Sequence, residues 1–147
     1  MITIALGCDK AAAALTQFVK DYFDKIGVKY THLAADDETA AHYPNVAKAV
    51  AQSVSKGEAS VGILICGTGI GMSMAANKIN GIRAAVANDI FSAKFTKLHN
   101  DANVLCLGAR VIGPELALEI IDTFLKTKFE GERHALRVDM ISKLENL

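Results

Sequence analysis

Short apolar runs alternate with longer amphipathic segments along most of the chain. Five runs are short and mostly apolar, as is typical of parallel strands covered on both faces: residues 2–6, 29–33, 61–66, 82–86 and 104–107. Hydrophobic residues at helical spacing predict helices over residues 11–26, 44–55, 72–79 and 91–99, from residue 114 onward, and over about 132–144. This alternation predicts an α/β fold, a three-layer α/β/α sandwich with a five-stranded parallel sheet and right-handed crossovers.

Composition narrows the class of protein. The 147 residues contain no linker, repeat or low-complexity stretch, so we expect a single domain over residues 1–147. Acidic and basic residues balance at 16 each and Trp is absent, which argues against nucleic acid as a partner. No apolar run approaches the roughly 20 residues that span a bilayer, and no signal peptide is apparent. Three cysteines without metal spacing predict a reduced, cytoplasmic protein.

The third apolar run leads into a glycine-rich turn, with Cys66 at the junction and Thr68 two residues later. Backbone N–H groups of such a turn, beside a helix start, bind negative charge. A thiol there predicts a base beside an oxyanion site. Two alternatives stay open: Cys66 is a small buried hydrophobe, and the glycines only permit a tight turn. A nucleotide site is weakly supported, because the spacing is not G-x-G-x-x-G and the P-loop lysine is missing.

Polar residues follow other predicted strands. Asp9 and Lys10 come after the first strand, and Arg110 comes after the last. Since ligands of open α/β sheets bind beyond the carboxyl ends of the strands, we expect these residues near Cys66. A surface ion pair or a helix cap would explain Asp9 and Lys10 equally well. Cys8 and Cys106 lack a glycine-rich turn and are expected in or near the core.

A polar block, residues 99–103, precedes the last strand. His99 within it is a candidate acid or base, although a turn alone would explain the block. Arg133 and Arg137 are four residues apart and share one helix face. They form either a solvated basic face or, with Arg110 and Lys10, a phosphate site. His32 and His134 are expected on the surface.

Together these motifs resemble the ribose-5-phosphate isomerase B and galactose-6-phosphate isomerase family over nearly the whole chain. The matching segments are Gly7-Cys8-Asp9, His42-Tyr43-Pro44, residues 62–73, Ala75-Ala76-Asn77-Lys78, Gly81-Ile82-Arg83-Ala84, residues 99–104, Gly108-Ala109-Arg110-Val111, Gly131-Glu132-Arg133-His134 and Arg137-Val138. The family has a five-stranded parallel sheet, in agreement with the strands above, so the expected fold is Rossmann-like. The central motif and the His-Asn block together are highly specific.

The resemblance implies an aldose–ketose isomerase of sugar phosphates that needs no metal and no organic cofactor. Cys66 would move a proton between C1 and C2 through a cis-enediolate, stabilised by Thr68 and by the turn N–H groups. His99 would assist ring opening, and Asp9 would order the substrate. The remaining implied substrate contacts are Lys10, Tyr43, Gly67, Gly69, Ile70, Gly71, Asn100, Arg110, Arg133 and Arg137.

The resemblance also implies a homo-oligomer, a dimer or a tetramer, with the site at the subunit interface and the helix over about 132–144 packed there. One motif departs from the family: Asp-His-Ala-Gly becomes Asp9-Lys10-Ala11-Ala12, and we expect Lys10 to face the phosphate in place of histidine. Ribose 5-phosphate is the expected substrate. A 6-phosphohexose (allose or galactose 6-phosphate), or a non-catalytic phospho-sugar or nucleotide binder, is the alternative.

Overall fold

The computed structural model, which describes residues 1–147, contains one five-stranded sheet. Its strands are β1 (Thr3–Cys8), β2 (Lys29–His32), β3 (Val61–Cys66), β4 (Ala84–Val86) and β5 (Val104–Gly108). They lie in the order β2-β1-β3-β5-β4, and every neighbouring pair is parallel. The predicted five-stranded parallel sheet is confirmed.

Five α-helices lie between the strands along the chain, and two follow β5. They are α1 (Ala13–Ile26), α2 (Asp37–Ala40), α3 (Tyr43–Ser55), α4 (Ile70–Ala76), α5 (Ile90–Asn100), α6 (Pro114–Lys126) and α7 (Arg133–Lys143). Gly27 ends α1 in the left-handed conformation, as the sequence predicts. No helix of the fold has the length and apolar character required to cross a bilayer.

The two faces of the sheet carry separate apolar layers, because alternate strand residues point to opposite sides. Ile63 and Ile65 of β3 pack with α1, α5 and α6, around Phe23 and Phe124. Leu64 and Cys66 of the same strand face the opposite layer, where α3 and α4 cover them. The three-layer α/β/α prediction is therefore confirmed, and Cys66 lies on the α3–α4 side.

Two element boundaries beside Cys66 differ from the sequence prediction, and one short helix was not predicted. β1 continues through Gly7 to Cys8, so the loop after it begins at Asp9. α4 begins at Ile70, two residues earlier than predicted, immediately after the glycine-rich turn. The short helix α2 was not predicted; the Asp36 side chain caps it by accepting a hydrogen bond from the Thr39 N–H. The first two differences shorten the loops around Cys66.

Candidate functional site

Strand register brings three of the predicted polar segments together at the carboxyl ends of the strands. This end of the sheet is called its carboxyl edge below. Cys8 pairs with Ile65 of the neighbouring strand, and Cys66 pairs with Gly108. Asp9 follows directly, and its N–H donates to the Ile65 carbonyl at 3.3 Å. The loops after β1, β3 and β5 therefore meet at the carboxyl edge, where α/β sheets bind ligands.

The turn after β3 wraps around the sulfur of Cys66. The Gly69 N–H donates to Cys66 Sγ at 3.1 Å, and the Ile70 N–H donates to Thr68 Oγ1 at 3.2 Å. Gly69 has φ +81°, a conformation that L-residues rarely adopt. Cys66 is 5 % exposed, whereas Thr68 is exposed. The turn thus combines a thiol that accepts an N–H with a hydroxyl at the surface.

A cation and a phenol border this turn. A Cβ atom built on Gly67 would lie 3.5 Å from the Cδ and Nη1 atoms of Arg110, so this side chain lies across the turn. A Cβ built on Gly71 would lie only 2.6 Å from Tyr43 Cζ, so the phenol rests directly against the start of α4. These two contacts place Arg110 and Tyr43 beside the thiol-bearing turn.

Asp9 and Lys10 complete this edge. The Asp9 carboxylate accepts the Ala12 N–H at 3.2 Å and caps the short 3₁₀ turn before α1. This is the helix-cap role that the sequence left open, and it fixes the carboxylate near the end of β3. Lys10 is exposed beside it. The cluster formed by Asp9, Lys10, Cys66 to Gly71, Tyr43 and Arg110 is called the thiol half-site below.

Asn88 is a residue of this edge that sequence reasoning missed. Its Oδ1 accepts the Gly108 N–H at 2.9 Å, and its Nδ2 donates to the Thr68 carbonyl at 3.4 Å. One amide side chain therefore ties the turn after β3 to the end of β5. A signal was present, since Asn88 is the first polar residue after an apolar strand, at the same edge as Cys66.

We expect Asn88→Ala to lower the free energy of unfolding by about 1–2 kcal/mol, because it leaves the half-buried Gly108 N–H without its acceptor. Chemical denaturation measures this change. Asn80→Ala is the matched control, an exposed asparagine beyond α4. Equal midpoints for the two variants would show that the amide bridge contributes nothing.

His99 and Asn100 lie at the opposite end of the sheet, beside the amino ends of the strands. They end α5 just before β5, whose first residue Val104 pairs with Gly62 at the start of β3. Gly62 and Cys66 are separated by four residues of strand, about 13 Å along the sheet. Within one chain, therefore, the predicted acid–base histidine and the predicted thiol base do not meet.

Arg83 holds the turn around Asn100. Its Nη2 donates to the Asp101 carbonyl at 2.8 Å, and its Nε donates to the carbonyls of Asn100 and Asp101. Lys97 and Arg83 both pair with the Asp101 carboxylate. Asp101 itself takes φ +47°. These charge-assisted bonds fix where the end of α5 presents His99 and Asn100.

His134 lies against His99, so its predicted surface position is wrong. The two rings stack with centroids 4.1 Å apart and planes within 9°. His134 is buried, and burial, followed by the charges of His99 and Arg133, lowers its pKa. The prediction failed because α7 is a mostly exposed helix whose single buried residue is this histidine. His32, also predicted at the surface, is half-buried.

Arg133 and Arg137 are exposed on α7 and flank His134. They therefore accompany His99 and Asn100 rather than Cys66. His99, Asn100, Glu130, Arg133, His134 and Arg137 are called the imidazole half-site below. It contains the predicted acid–base group and two of the predicted phosphate-binding cations.

The imidazole half-site also holds the one set of potential metal ligands found, namely His99, Glu130 and His134, whose ligand atoms lie within 4.8 Å of one another. The lone pair on each imidazole nitrogen lies in the plane of its ring. Because the His99 and His134 rings are stacked in parallel planes, their lone pairs cannot converge on one ion. The arrangement therefore favours stacking and ion pairing over metal coordination.

The other two cysteines are buried, as predicted. Burial raises the pKa of Cys8, whose Sγ lies 3.8 Å from His32 Nε2, and burial likewise raises the pKa of Cys106. Of two cavities, of about 730 and 570 Å³, neither is lined by Cys66. The smaller is lined by Asn100, Arg83 and Ile141. Neither of these two cavities therefore forms a pocket around Cys66.

Comparison with known proteins identifies relatives along the whole chain. The family described as Ribose/Galactose Isomerase matches residues 4–141. The chain is 43% identical over 145 residues to ribose-5-phosphate isomerase B of Escherichia coli, covering 99% of this chain and 97% of that protein. It is 45% identical over 147 residues to D-erythrulose-4-phosphate isomerase of Pectobacterium atrosepticum, with 99% and 97% covered. The structure of Clostridium thermocellum ribose-5-phosphate isomerase B matches with a TM-score of 0.94 and 43% identity, covering 99% and 98%.

Proposed function

Since the chain belongs to the ribose/galactose isomerase family, an enzyme family of sugar-phosphate isomerases, we propose that it interconverts ribose 5-phosphate and ribulose 5-phosphate. One observation carries the proposal: Cys66 ends β3 with its Sγ 3.1 Å from the Gly69 N–H, beside the exposed Thr68 hydroxyl. A thiol base and polar donors in one turn suit proton transfer next to a carbonyl.

The proposed reaction moves one proton between neighbouring carbons. Cys66 Sγ removes the proton from C2 of the open-chain aldose, and the C–H electrons form the C1–C2 double bond. The carbonyl oxygen at C1 becomes the enediolate oxygen. The C1 oxygen takes up a proton and the C2 hydroxyl gives one up, so that return of the proton from Cys66 to C1 leaves the carbonyl of the ketose at C2. No electrons leave the sugar, and no redox partner is needed.

The developing enediolate charge is the main barrier, because a carbon acid beside a carbonyl is weak. Preorganised donors aimed at such an oxygen are each worth about 3 kcal/mol. We propose the Thr68 hydroxyl and the turn N–H groups from Gly67 to Gly71 for this role; in the structure, the Gly69 N–H donates to Cys66 Sγ and the Ile70 N–H donates to Thr68 Oγ1. Tyr43, packed on Gly71, and Asp9, at the end of β1, are proposed sugar contacts.

The remaining proposed contacts require a second copy of the chain. His99, Asn100, Arg133 and Arg137 occupy the imidazole half-site, at the edge of the sheet opposite Cys66. We therefore propose a homodimer in which the thiol half-site of one protomer meets the imidazole half-site of its partner. The exposed apolar residues of α7, Leu136, Met140 and Ile141, support a packed interface along that helix.

Phosphate binding is proposed for the cations of both half-sites. Arg110 and Lys10 would come from one protomer, with Arg133 and Arg137 from its partner. Phosphate held far from C1 supplies binding energy that aligns the reacting carbons. The three buried, unpaired cysteines agree with the reducing cytoplasm as the proposed location.

The direct test is an isomerase assay in chelator-treated buffer. The purified protein is incubated with ribose 5-phosphate in deuterated water, and ribulose 5-phosphate formation and deuterium at C1 or C2 are followed by NMR. We expect both. If the protein binds the sugar phosphate but neither interconverts the two sugars nor incorporates deuterium, it is a phospho-sugar binding protein and not an isomerase.

The length of the sugar is tested in the same assay. Related proteins are named for five-carbon and four-carbon sugar phosphates, and a hexose 6-phosphate is the alternative that the sequence left open. Lys10 replaces the histidine of the family motif, and its longer side chain would hold the phosphate at a different distance from Cys66. We expect the highest kcat/KM with ribose 5-phosphate in a panel that includes allose and galactose 6-phosphates.

Mixing two inactive variants tests the shared site. Cys66→Ala lacks one half-site and His99→Asn lacks the other, so a mixed dimer retains one intact site. Random pairing of equal amounts should restore about one quarter of wild-type activity. Co-expression of the two chains with different affinity tags allows the mixed dimer to be isolated and assayed. No recovery in that mixed dimer would place both residues in a site made by one chain.

A further inference from the structure

Two groups next to His99 have no part in the proposed mechanism, namely His134 and Glu130. The Glu130 Oε2 atom lies 3.6 Å from Nε2 of His99 and 3.6 Å from Nε2 of His134. On the other side, Phe95 meets the His99 ring edge-on, with centroids 4.8 Å apart. His99 is thus held between an aromatic edge and a second imidazole, and its Nε2 shares a carboxylate with that imidazole.

The two imidazoles differ in their surroundings. The His99 side chain is 34 % exposed and the His134 side chain 7 % exposed. His134 Nε2 is buried without any hydrogen-bond partner. The charges that act on His134 come from His99 on α5, from Glu130 before α7, and from Arg133 and Arg137 on α7 itself; all except Glu130 lower its pKa further.

Two imidazolium ions stacked at this distance would repel each other, so the contact disfavours a positive charge on both rings at once. Burial penalises charge on His134 in particular and lowers its pKa. The same stacked contact restricts rotation of the His99 ring.

We propose that His134 and Glu130 are positioning residues for His99: His134 provides a flat, buried surface that orients the ring, and Glu130 places a carboxylate beside its Nε2. The inference rests on the proposed function, in which the His99 imidazolium protonates the ring oxygen of the cyclic sugar. In that step the C1–O4 bond breaks, O4 takes the proton from His99, the C1 hydroxyl loses its proton to water, and the C1 carbonyl forms.

Comparing two substrates distinguishes a role of His134 in ring opening from a general loss of enzyme activity. Ribose 5-phosphate closes into a five-membered ring through its C4 oxygen and must be opened. In erythrose 4-phosphate that oxygen carries the phosphate, so the same ring does not form. A residue that serves ring opening therefore matters for the five-carbon sugar and is dispensable for the four-carbon one.

We expect His134→Ala to lower kcat/KM about tenfold with ribose 5-phosphate, because the His99 ring loses its alignment with the substrate. With erythrose 4-phosphate we expect kcat/KM to fall less than about twofold. His134→Phe keeps a flat, neutral ring and should recover most of the lost rate. Equal losses on both sugars, or no loss on either, would overturn the proposal. So would a His134→Phe variant that is folded by circular dichroism and as impaired as His134→Ala.

Glu130→Gln tests the carboxylate. A ring-opening acid works while protonated, and losing the neighbouring negative charge makes proton loss easier. We expect the high-pH limb of the ribose 5-phosphate kcat/KM profile to move about half a pH unit toward lower pH. Glu119→Gln is the control, because it makes the same substitution at an exposed position on α6. An unmoved limb in Glu130→Gln would remove Glu130 from the proposal.

An NMR titration separates this inference from the proposed function. Removing the positive charge of His99 in His99→Gln should raise the pKa of His134, which is followed through its ring carbon and proton signals. If the wild type isomerises no sugar phosphate, the proposed function fails, while a raised His134 pKa still shows that the charge of His99 acts on His134 through the stacked contact. An unchanged His134 titration in His99→Gln would overturn the pairing itself.

Discussion

Cys66→Ala is expected to lower kcat for sugar-phosphate isomerisation about 10³-fold or more, the usual contribution of a positioned general base. The sulfur is the proposed acceptor of the C2 proton, and the turn around it offers no second side chain of comparable basicity. Progress curves with ribose 5-phosphate measure the rate. Sugar-phosphate binding, measured by calorimetry, should persist in the variant, because Arg110, Lys10 and the imidazole half-site are unchanged.

Cys8→Ala is the matched control for this prediction. Cys8 ends the neighbouring strand β1 but belongs to the apolar layer on the other face of the sheet. Its loss should cost some stability and leave kcat within about twofold of wild type. Robust turnover by Cys66→Ala, or equal losses in both variants, would contradict the role of Cys66 as base.

Gly69→Ala is expected to have the largest effect on the architecture of the site. Gly69 takes φ +81°, and a Cβ there would lie 3.0–3.1 Å from the backbone atoms of Leu107 in β5. Backbone cannot yield as a flexible side chain would, so the turn must move. We expect a loss of at least about 2 kcal/mol in the free energy of unfolding, together with most of the activity, since the Gly69 N–H would leave Cys66 Sγ.

Two other glycines separate the causes. Gly57 has a similar φ of +74° but nothing within 4 Å of its Cβ position, so Gly57→Ala reports the conformational cost alone. Gly113 has a negative φ and open space, so Gly113→Ala should be nearly neutral or slightly stabilising. Thermal unfolding of the three variants should rank Gly69 as the most damaging. Equal shifts for Gly69→Ala and Gly57→Ala would show that the contact with β5 is unimportant.

The fold was predictable from sequence because its signals are local. Each buried strand is a short apolar run, and the long helices carry apolar residues at helical spacing, with a glycine or a proline at a boundary of α1, α3 and α6. Because ligands of open α/β sheets bind beyond the carboxyl ends of the strands, the sequence alone predicts that Asp9, Cys66 and Arg110 lie together. The register of Cys66 against Gly108 supports that placement.

The rest of the site depends on contacts between segments far apart in the chain. The stacking of His99 on His134 joins α5 to α7, and Asn88 joins two loops through one amide. No spacing within either segment reveals such a contact. For the same reason sequence patterns did not show that His99 lies far from Cys66 in one chain, a separation that follows from the parallel register of β3 and β5.

The two outermost strands of the sheet restrict how this protein can grow into larger assemblies. β2 has four residues, beginning with the exposed and charged Lys29, and β4 has only three. Such short outer strands, one of them charged, are poor templates for an incoming strand from another molecule. Fibril-like stacking through main-chain hydrogen bonds is thereby discouraged, and contact between copies is left to the side chains of the outer helices.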